Sequence, residues 1–371
     1  MKARTTALGL CALLGAALIA LSAAQAGDGK EPRVLDPKQT LGPSTDIDAE
    51  RGCIKCHEPH YRAWQETHHA KSLAMPREDL AKGIRRALRK QVKRFRPNTS
   101  RLCQSCHFTL VVEEDEVSPK YGISCESCHG EGARHVEIHS NEKADYATRM
   151  KQAADAGLIR PTDLYGLARN CFDCHLLVKP VGRAKGEPTL EELVNLDVKV
   201  KGKGSSHHSA GTPGFDLVTY SQGEVRHNFN GGKKNPPSAY RRGLYVVGKL
   251  VDLELSLRAL AAVKQPEGRY AKEILARVGG AEGAHAKLAA AAQALGDHPL
   301  AKAITAALAK APAAPTPGDA ELEAAADAVA AQARQFFSAK TPDELAALEQ
   351  ALAPLEAQLP QAVKGKVHSG K

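Results

Sequence analysis

Three textures of apolar and polar positions follow one another along the chain. The first is an apolar run from Ala7 to Ala20, behind Lys2 and Arg4 and ahead of Ala24-Gln25-Ala26. A basic start, a short apolar stretch and an A-x-A site predict an export leader cleaved after Ala26. The run is short for a membrane anchor. The second texture, residues 50–236, is rich in Gly, Pro, Ser and charge and shows little sustained periodicity. Short helices joined by loops are expected there. One hairpin is predicted, Phe108–Val112 against Tyr121–Ser124, around the acidic turn Glu113–Glu116. The third texture begins past Pro236-Pro237, where Val247, Leu250, Leu253, Leu257 and Leu260 recur at helical spacing. Val251, Leu253, Leu255 and Leu257 also alternate like a strand, but the helical pattern is longer and takes precedence. Ala-rich amphipathic segments follow, broken at Gly279-Gly280, at Gly296-Asp297-His298-Pro299 and at the Pro/Ala linker 311–317.

The expected organisation is a leader (1–26), an N-terminal linker (27–49) and a loop-rich, mainly α domain with one small β-hairpin (50–236). A helical segment (237–310) packs on or caps that domain, and an Ala-rich helical tail (311–371) closes the chain. The two helical segments hold no cysteine and no evident ligand cluster.

Cysteine changes this picture most. Cleavage removes Cys11 and leaves eight: Cys53/Cys56, Cys103/Cys106, Cys125/Cys128 and Cys171/Cys174. Each pair is followed at once by a histidine, His57, His107, His129 or His175, in CIKCH, CQSCH, CESCH and CFDCH. Paired C-x-x-C also builds zinc sites or redox dithiols, and a disulfide framework suits an exported chain. None of these requires the adjacent histidine. With histidine at 15 of 371 residues, four such coincidences have a chance of roughly a few in a million, which favours haem c attachment. Two thiols add across the vinyl groups of one porphyrin, and the next residue binds its iron. The expectation is four haem c groups, with no cysteine left for a disulfide. Aromatics make up only 4% of residues, so the porphyrins are expected to form the core of 50–236.

The second axial ligands decide between a carrier and an enzyme. Only Met75 and Met150 remain after cleavage, so methionine serves at most a minority of irons. His60, His68, His69, His135, His139, His207, His208 and His227 all lie in the motif-bearing region, which favours bis-histidine ligation. His285, His298 and His368 fall in the helical tail. If 57–75 is one helix, His69 lies roughly 18 Å along its axis from His57. Two imidazole nitrogens on one iron are only about 4 Å apart. His69 is then excluded from the first haem and reaches another.

The run CIKCHEPHYRAWQETHHAKSLAM, with a Trp seven residues past the motif and Thr-x-His-Ala, resembles the opening of tetrahaem cytochromes of the cytochrome c-554 family. GISCESCHGEGARH resembles their third haem segment, and the likeness is good over residues 50–180. It implies a multihaem cytochrome c fold. It also implies that His69 binds the third haem and that His135, or as second choice His139, binds the first. The second haem of the type member has no protein sixth ligand. For the fourth haem the likeness weakens. GFDLVTYSQGEVRHNF resembles related multihaem cytochromes and points to His227, and one of His207 and His208 is the next candidate, entered as His208 in the expected ligand set.

Net charge is +9, and residues 82–101 carry Lys82, Arg85, Arg86, Arg89, Lys90, Lys93, Arg94, Arg96 and Arg101 with no acid. Nucleic acid is excluded by an exported location. Neutralised haem propionates, or docking of an acidic redox partner, fit the run, as does a plainly solvated face. The expected function is periplasmic electron transfer among redox proteins, with no membrane span in the mature protein. The alternatives are an enzyme acting on nitric oxide, hydroxylamine or nitrite at one open haem, and a haem subunit of a larger redox complex.

Overall fold

The structure is a computed structural model that describes residues 40, 53–74, 86, 100–113, 116–176, 189–196, 215–226 and 239–366. All lie in one unit, residues 32–371. The protein is mainly α with one two-stranded antiparallel sheet, as the sequence predicts.

Each C-x-x-C-H motif rides on a helix: Ile54–Gln65, Arg101–His107, Cys125–His129 and Leu164–His175. Positions i, i+3 and i+4 share one face of a helix, so the local fold brings both thiols and the imidazole to the same side. The first motif departs from this. Cys53 is the residue before its helix, and His57 leaves helical geometry (φ −119°, ψ 34°), kinking the chain just ahead of Pro59.

The expected helix over 57–75 is not continuous. It stops at Gln65, and Thr67 turns extended (ψ 160°) and caps a new short helix, His68–Lys71, by accepting the Ala70 N–H. A 3-10 turn, Ser72–Ala74, follows. Threonine favours this role because its hydroxyl satisfies an otherwise orphaned helix-start N–H. His69 is therefore placed by the break, not by distance along one axis.

The hairpin is present in a different register. Its strands are Thr109–Glu113 and Glu116–Tyr121, with Glu113 opposite Glu116, so the connection is two residues and Val117–Lys120 are strand. The pairing shifts between Thr109↔Tyr121 and Leu110↔Pro119. An extra residue there forms a bulge, the setting in which a proline without an N–H is tolerated in a sheet.

The main hydrophobic core runs from Leu164 to Leu359. At its centre is the helix Arg241–Ala262, packed against Leu164–His175, Arg269–Val278, Ala284–Leu295 and Glu321–Phe337. Val247, Leu250, Leu253, Leu257 and Leu260 are fully buried, and so are Val246, Val251 and Leu255 on other faces. The strand-like alternation has a physical cause. The intervening Asp252, Glu254 and Ser256 are buried as well, because this helix is surrounded on all sides.

Two of those polar residues tie the core together. Glu254 accepts from Tyr165 (3.0 Å), Arg169 (2.6 Å) and Arg258 (3.3 Å), and Arg258 continues to Glu323 and Asp327. Asp252 receives Arg277 through two bonds of 2.9 and 2.6 Å. Tyr165 and Arg169 lie on the helix that carries the fourth motif, so this network joins that motif to the C-terminal helices.

Candidate haem centres

The motif helices are held against one another by a few side chains. Trp64 Nε1 donates to Ile123 O (2.7 Å), and Asn170 Nδ2 donates to Cys128 O (2.7 Å). Ser72 Oγ lies 2.7 Å from both His69 O and His107 O and accepts the Ile123 N–H. Gly122 packs so closely beneath this turn that a Cβ would collide with the His69 and Ala70 carbonyl oxygens. The first three motif segments therefore converge on the His69 turn.

All eight motif cysteines are thiols outside any disulfide, but the structure does not place them alike. The Cys53 and Cys125 thiols share a hydrogen bond. That bond and burial hold Cys125 well above the usual thiol range, while Cys53 is lowered. Burial likewise raises Cys171. Cys174 Sγ approaches Ser105 O at 4.0 Å, bringing the second and fourth motifs together. Cys56 and Cys106 are the less covered thiols of their motifs. Cys56 is exposed and does not join the Cys53–Cys125 contact. It sits in the first turn of Ile54–Gln65 among Lys55, His57, Glu58 and Pro59, which are exposed too, so this end of the helix faces solvent. Cys106 is half-buried, whereas Cys103, one turn earlier on the same helix, is buried. The Cys106 Sγ lies 3.5 Å from Ser105 Oγ, a neighbour on its own helix. Within each of these two motifs one thiol is therefore more covered by protein than the other.

Two histidine pairs stand out. His57 and His139 have ring centroids 6.5 Å apart with planes 21° from parallel. His60 meets His57 edge-on at 5.5 Å, and His135 lies 5.5 Å from His139. The second pair is His69 and His175, with centroids 6.3 Å apart and planes at 57°. A metal–imidazole bond of ~2 Å on each side, plus roughly 1 Å from each nitrogen to its ring centre, gives about 6 Å for two imidazoles on one iron. Both pairs have that spacing, so the residues present fit haem iron.

The neighbouring hydrogen bonds also suit ligation. His129 Nδ1 lies 2.9 Å from Ile159 O, and His139 Nδ1 lies 2.9 Å from His135 O. A backbone carbonyl at Nδ1 selects the tautomer whose Nε2 lone pair is available to a metal. His135 is buried, with Nε2 3.3 Å from Gly130 O. Burial lowers His69, an effect partly opposed by Glu224; burial, with His69 and Arg277 adding to it, pushes His175 down to about 3. Both shifts favour the neutral imidazole, the form that binds iron. His68, next to His69, points outward and bonds Glu224 at 2.7 Å.

Ring positions bear on the partners of two of the expected ligands. The resemblance sends His69 to the third haem, whereas its ring faces His175 of the fourth motif. The ring facing His57 is His139, one turn beyond His135. His207, His208, His227 and Met75 lie outside the described residues, as does most of the basic run 82–101.

Residues 52–130, which hold the first three motifs, match the family described as cytochrome c554 and c-prime. This segment is of the cytochrome c-554 type. The chain is 23% identical to cytochrome c-554 of Nitrosomonas europaea over 176 residues, covering 45% of this chain and 67% of that protein. No solved structure matches it. The family match supports cytochrome c-type haem attachment at these motifs. No helix among the described residues is long and apolar enough to cross a membrane.

Two features are not signalled by the sequence. Phe215 lies flat on the His175 ring (4.2 Å, 6°), and Glu224 grips His68. Both partners are distant in sequence, and no spacing rule marks them.

Proposed function

We propose that this chain is a periplasmic electron-transfer protein carrying four haem c groups, held by Cys53/Cys56, Cys103/Cys106, Cys125/Cys128 and Cys171/Cys174. His57, His107, His129 and His175 are the proximal ligands. The observation that supports this reading most is the spacing of the two histidine pairs, 6.5 and 6.3 Å. His69 serves the iron of the fourth motif opposite His175. The helix Gly132–His139 serves the iron of the first motif opposite His57, and the spacing favours His139 over His135. His207, His208 and His227 remain the candidates for the other two irons. The haem supplies a one-electron Fe(III)/Fe(II) couple, and the protein sets its potential through ligand identity, burial and charge. The partners are other redox proteins, and the basic run suits an acidic one.

Mass spectrometry of the exported protein should find four thioether-bound haems and an N-terminus at Gly27. Fewer than four haems from a host competent in attachment overturns the stoichiometry. Electron paramagnetic resonance of the oxidised protein should show low-spin haems only. A high-spin signal lost in Cys103→Ala/Cys106→Ala would move the second haem to the role of an open, small-molecule site. His69→Ala should turn one haem high-spin while His68→Ala changes no spin state. His139→Ala should do the same to a different haem, and an effect of His135→Ala instead would name the earlier histidine as the ligand.

A further inference from the structure

We propose that residues 215–226 form a clamp that orients both imidazoles of the His69–His175 pair, and that the C-terminal helical region holds this clamp in place. The proposal rests on the reading that those two histidines share one iron.

At one end of the segment, Phe215 stacks on the face of His175 with centroids 4.2 Å apart and planes within 6°. Tyr220 closes on both rings, 5.9 Å from His175 and 4.8 Å from Phe215. An imidazole coordinated through one edge keeps a rotational freedom about its metal bond. A flat ring packed on its face removes that freedom. At the other end, the Glu224 carboxylate accepts from the His68 backbone N–H and lies 2.7 Å from the His68 ring nitrogen. This ties down the turn from which His69 projects, one residue on. A single stretch of twelve residues therefore reaches both sides of the candidate iron.

The stretch is anchored from the helical region at three points. Arg277, already paired with Asp252, donates to Phe215 O (3.2 Å). Lys249 of the central helix bonds Asp216 (2.8 Å), the residue that caps the short helix Leu217–Ser221. Residue 364 of the C-terminal tail bonds along its backbone: Lys364 N to Thr219 O (3.0 Å) and Glu224 N to Lys364 O (3.1 Å). The approach is close enough that a Cβ at Gly223 would collide with the Lys364 carbonyl oxygen. Helices without a ligand of their own thus act on the fourth centre through this segment.

The test is electron paramagnetic resonance and redox titration of the haem-loaded, oxidised full-length protein. The g-values of a low-spin haem respond to the relative orientation of its two imidazole planes, and its potential responds to their packing. Phe215→Leu and Glu224→Ala should each change the g-values and midpoint potential of the same single haem, the one that His69→Ala turns high-spin. Haem count should not change. Phe215→Tyr keeps a ring on His175 and should retain the parent signal. Gly223→Val, which pries off the tail, should shift that haem in the same direction by less. Should Phe215→Leu fail to fold, Tyr220→Leu carries the same expectation. The clamp is refuted if folded Phe215→Leu or Tyr220→Leu protein has the parent spectrum and potentials, or if the Phe215 and Glu224 variants act on different haems. If His69→Ala leaves every haem low-spin, the ligand pair itself fails, and that result is separate from any outcome at Phe215.

Discussion

Between residues 53 and 139 the described apolar side chains that are buried are Tyr61, Ala63, Leu102, Cys103, Phe108 and Val111. Between 164 and 359 the core is continuous, with Leu250, Leu253, Val329 and Phe337 fully buried. The first region is knit instead by side-chain bonds to backbone, from Trp64, Ser72 and Thr109. Each such bond contributes only about 1 kcal/mol net. The fourth motif belongs to both regions: Leu164, Tyr165 and Phe172 on its helix are part of the large core, and Asn170 on the same helix bonds Cys128 O of the third motif. Two solutions to the problem of a hydrophobic interior thus meet on one helix. One is built from side chains, and the other, on the proposed reading, is arranged around a prosthetic group.

The comparison breaks most readily when the haem is withheld. In a variant with all eight motif cysteines changed to alanine, hydrogen exchange should show residues 241–359 still protected and residues 53–139 exchanging freely. Equal protection in both regions would mean that the first has a sufficient core of its own. Next comes the charged network of the second region. Glu254→Ala leaves Arg169 and Arg258 buried without their common partner and should cost roughly 3–5 kcal/mol in guanidinium unfolding of the haem-loaded protein. A loss under 1 kcal/mol would show that water reaches Arg169. Leu257→Ala, at the centre of the same core, should cost about 2–4 kcal/mol and leave haem content unchanged. The smallest effect is expected at Thr341, whose hydroxyl and Glu344 form a reciprocal cap on the helix Pro342–Ala351. Thr341→Ala should lower stability by about 1 kcal/mol without touching any haem signal. A change in a haem potential there would mean that the two regions are coupled more widely than through residues 215–226.

Much of this arrangement is legible in the residues. C-x-x-C-H marks the motif helices, and the recurrence Leu250, Leu253, Leu257 and Leu260 marks the central helix, because both are local patterns. Thr67 is also readable: a threonine before His68-His69-Ala70 is a helix-start signal, and it breaks the helix that simple periodicity extends. The hairpin lies in the expected place with its second strand displaced, since Ser118-Pro119 looks like a turn until a bulge accommodates it. The motif spacing is silent on how deeply each thiol sits. Exposed Cys56 and half-buried Cys106 occupy the same motif position, and only the packing around their helices separates them. Equally hidden are the meetings of distant residues. Glu254 finds Arg169, Phe215 finds His175 and His69 faces His175 only because the chain folds back on itself. Alternating polar residues in Arg241–Ala262 likewise look solvent-facing until neighbours are found on every side.

The pairing of His69 with His175 also bears on how the protein is made. The two lie about a hundred residues apart, and a loop of that length closes more slowly and at greater entropic cost than any contact within one motif. On the proposed reading of an exported chain whose His69 and His175 share an iron, the first motifs emerge ahead of the fourth, so His69 would be displayed well before its mate arrives. During that interval it would be an idle ligand beside haems already attached, open to capture by the wrong iron. Maturation would then be a race between the arrival of the CFDCH segment and misligation. The broken helix at Thr67, seated on Gly122 and Ser72, holds the His69 turn by contacts that do not need the fourth motif.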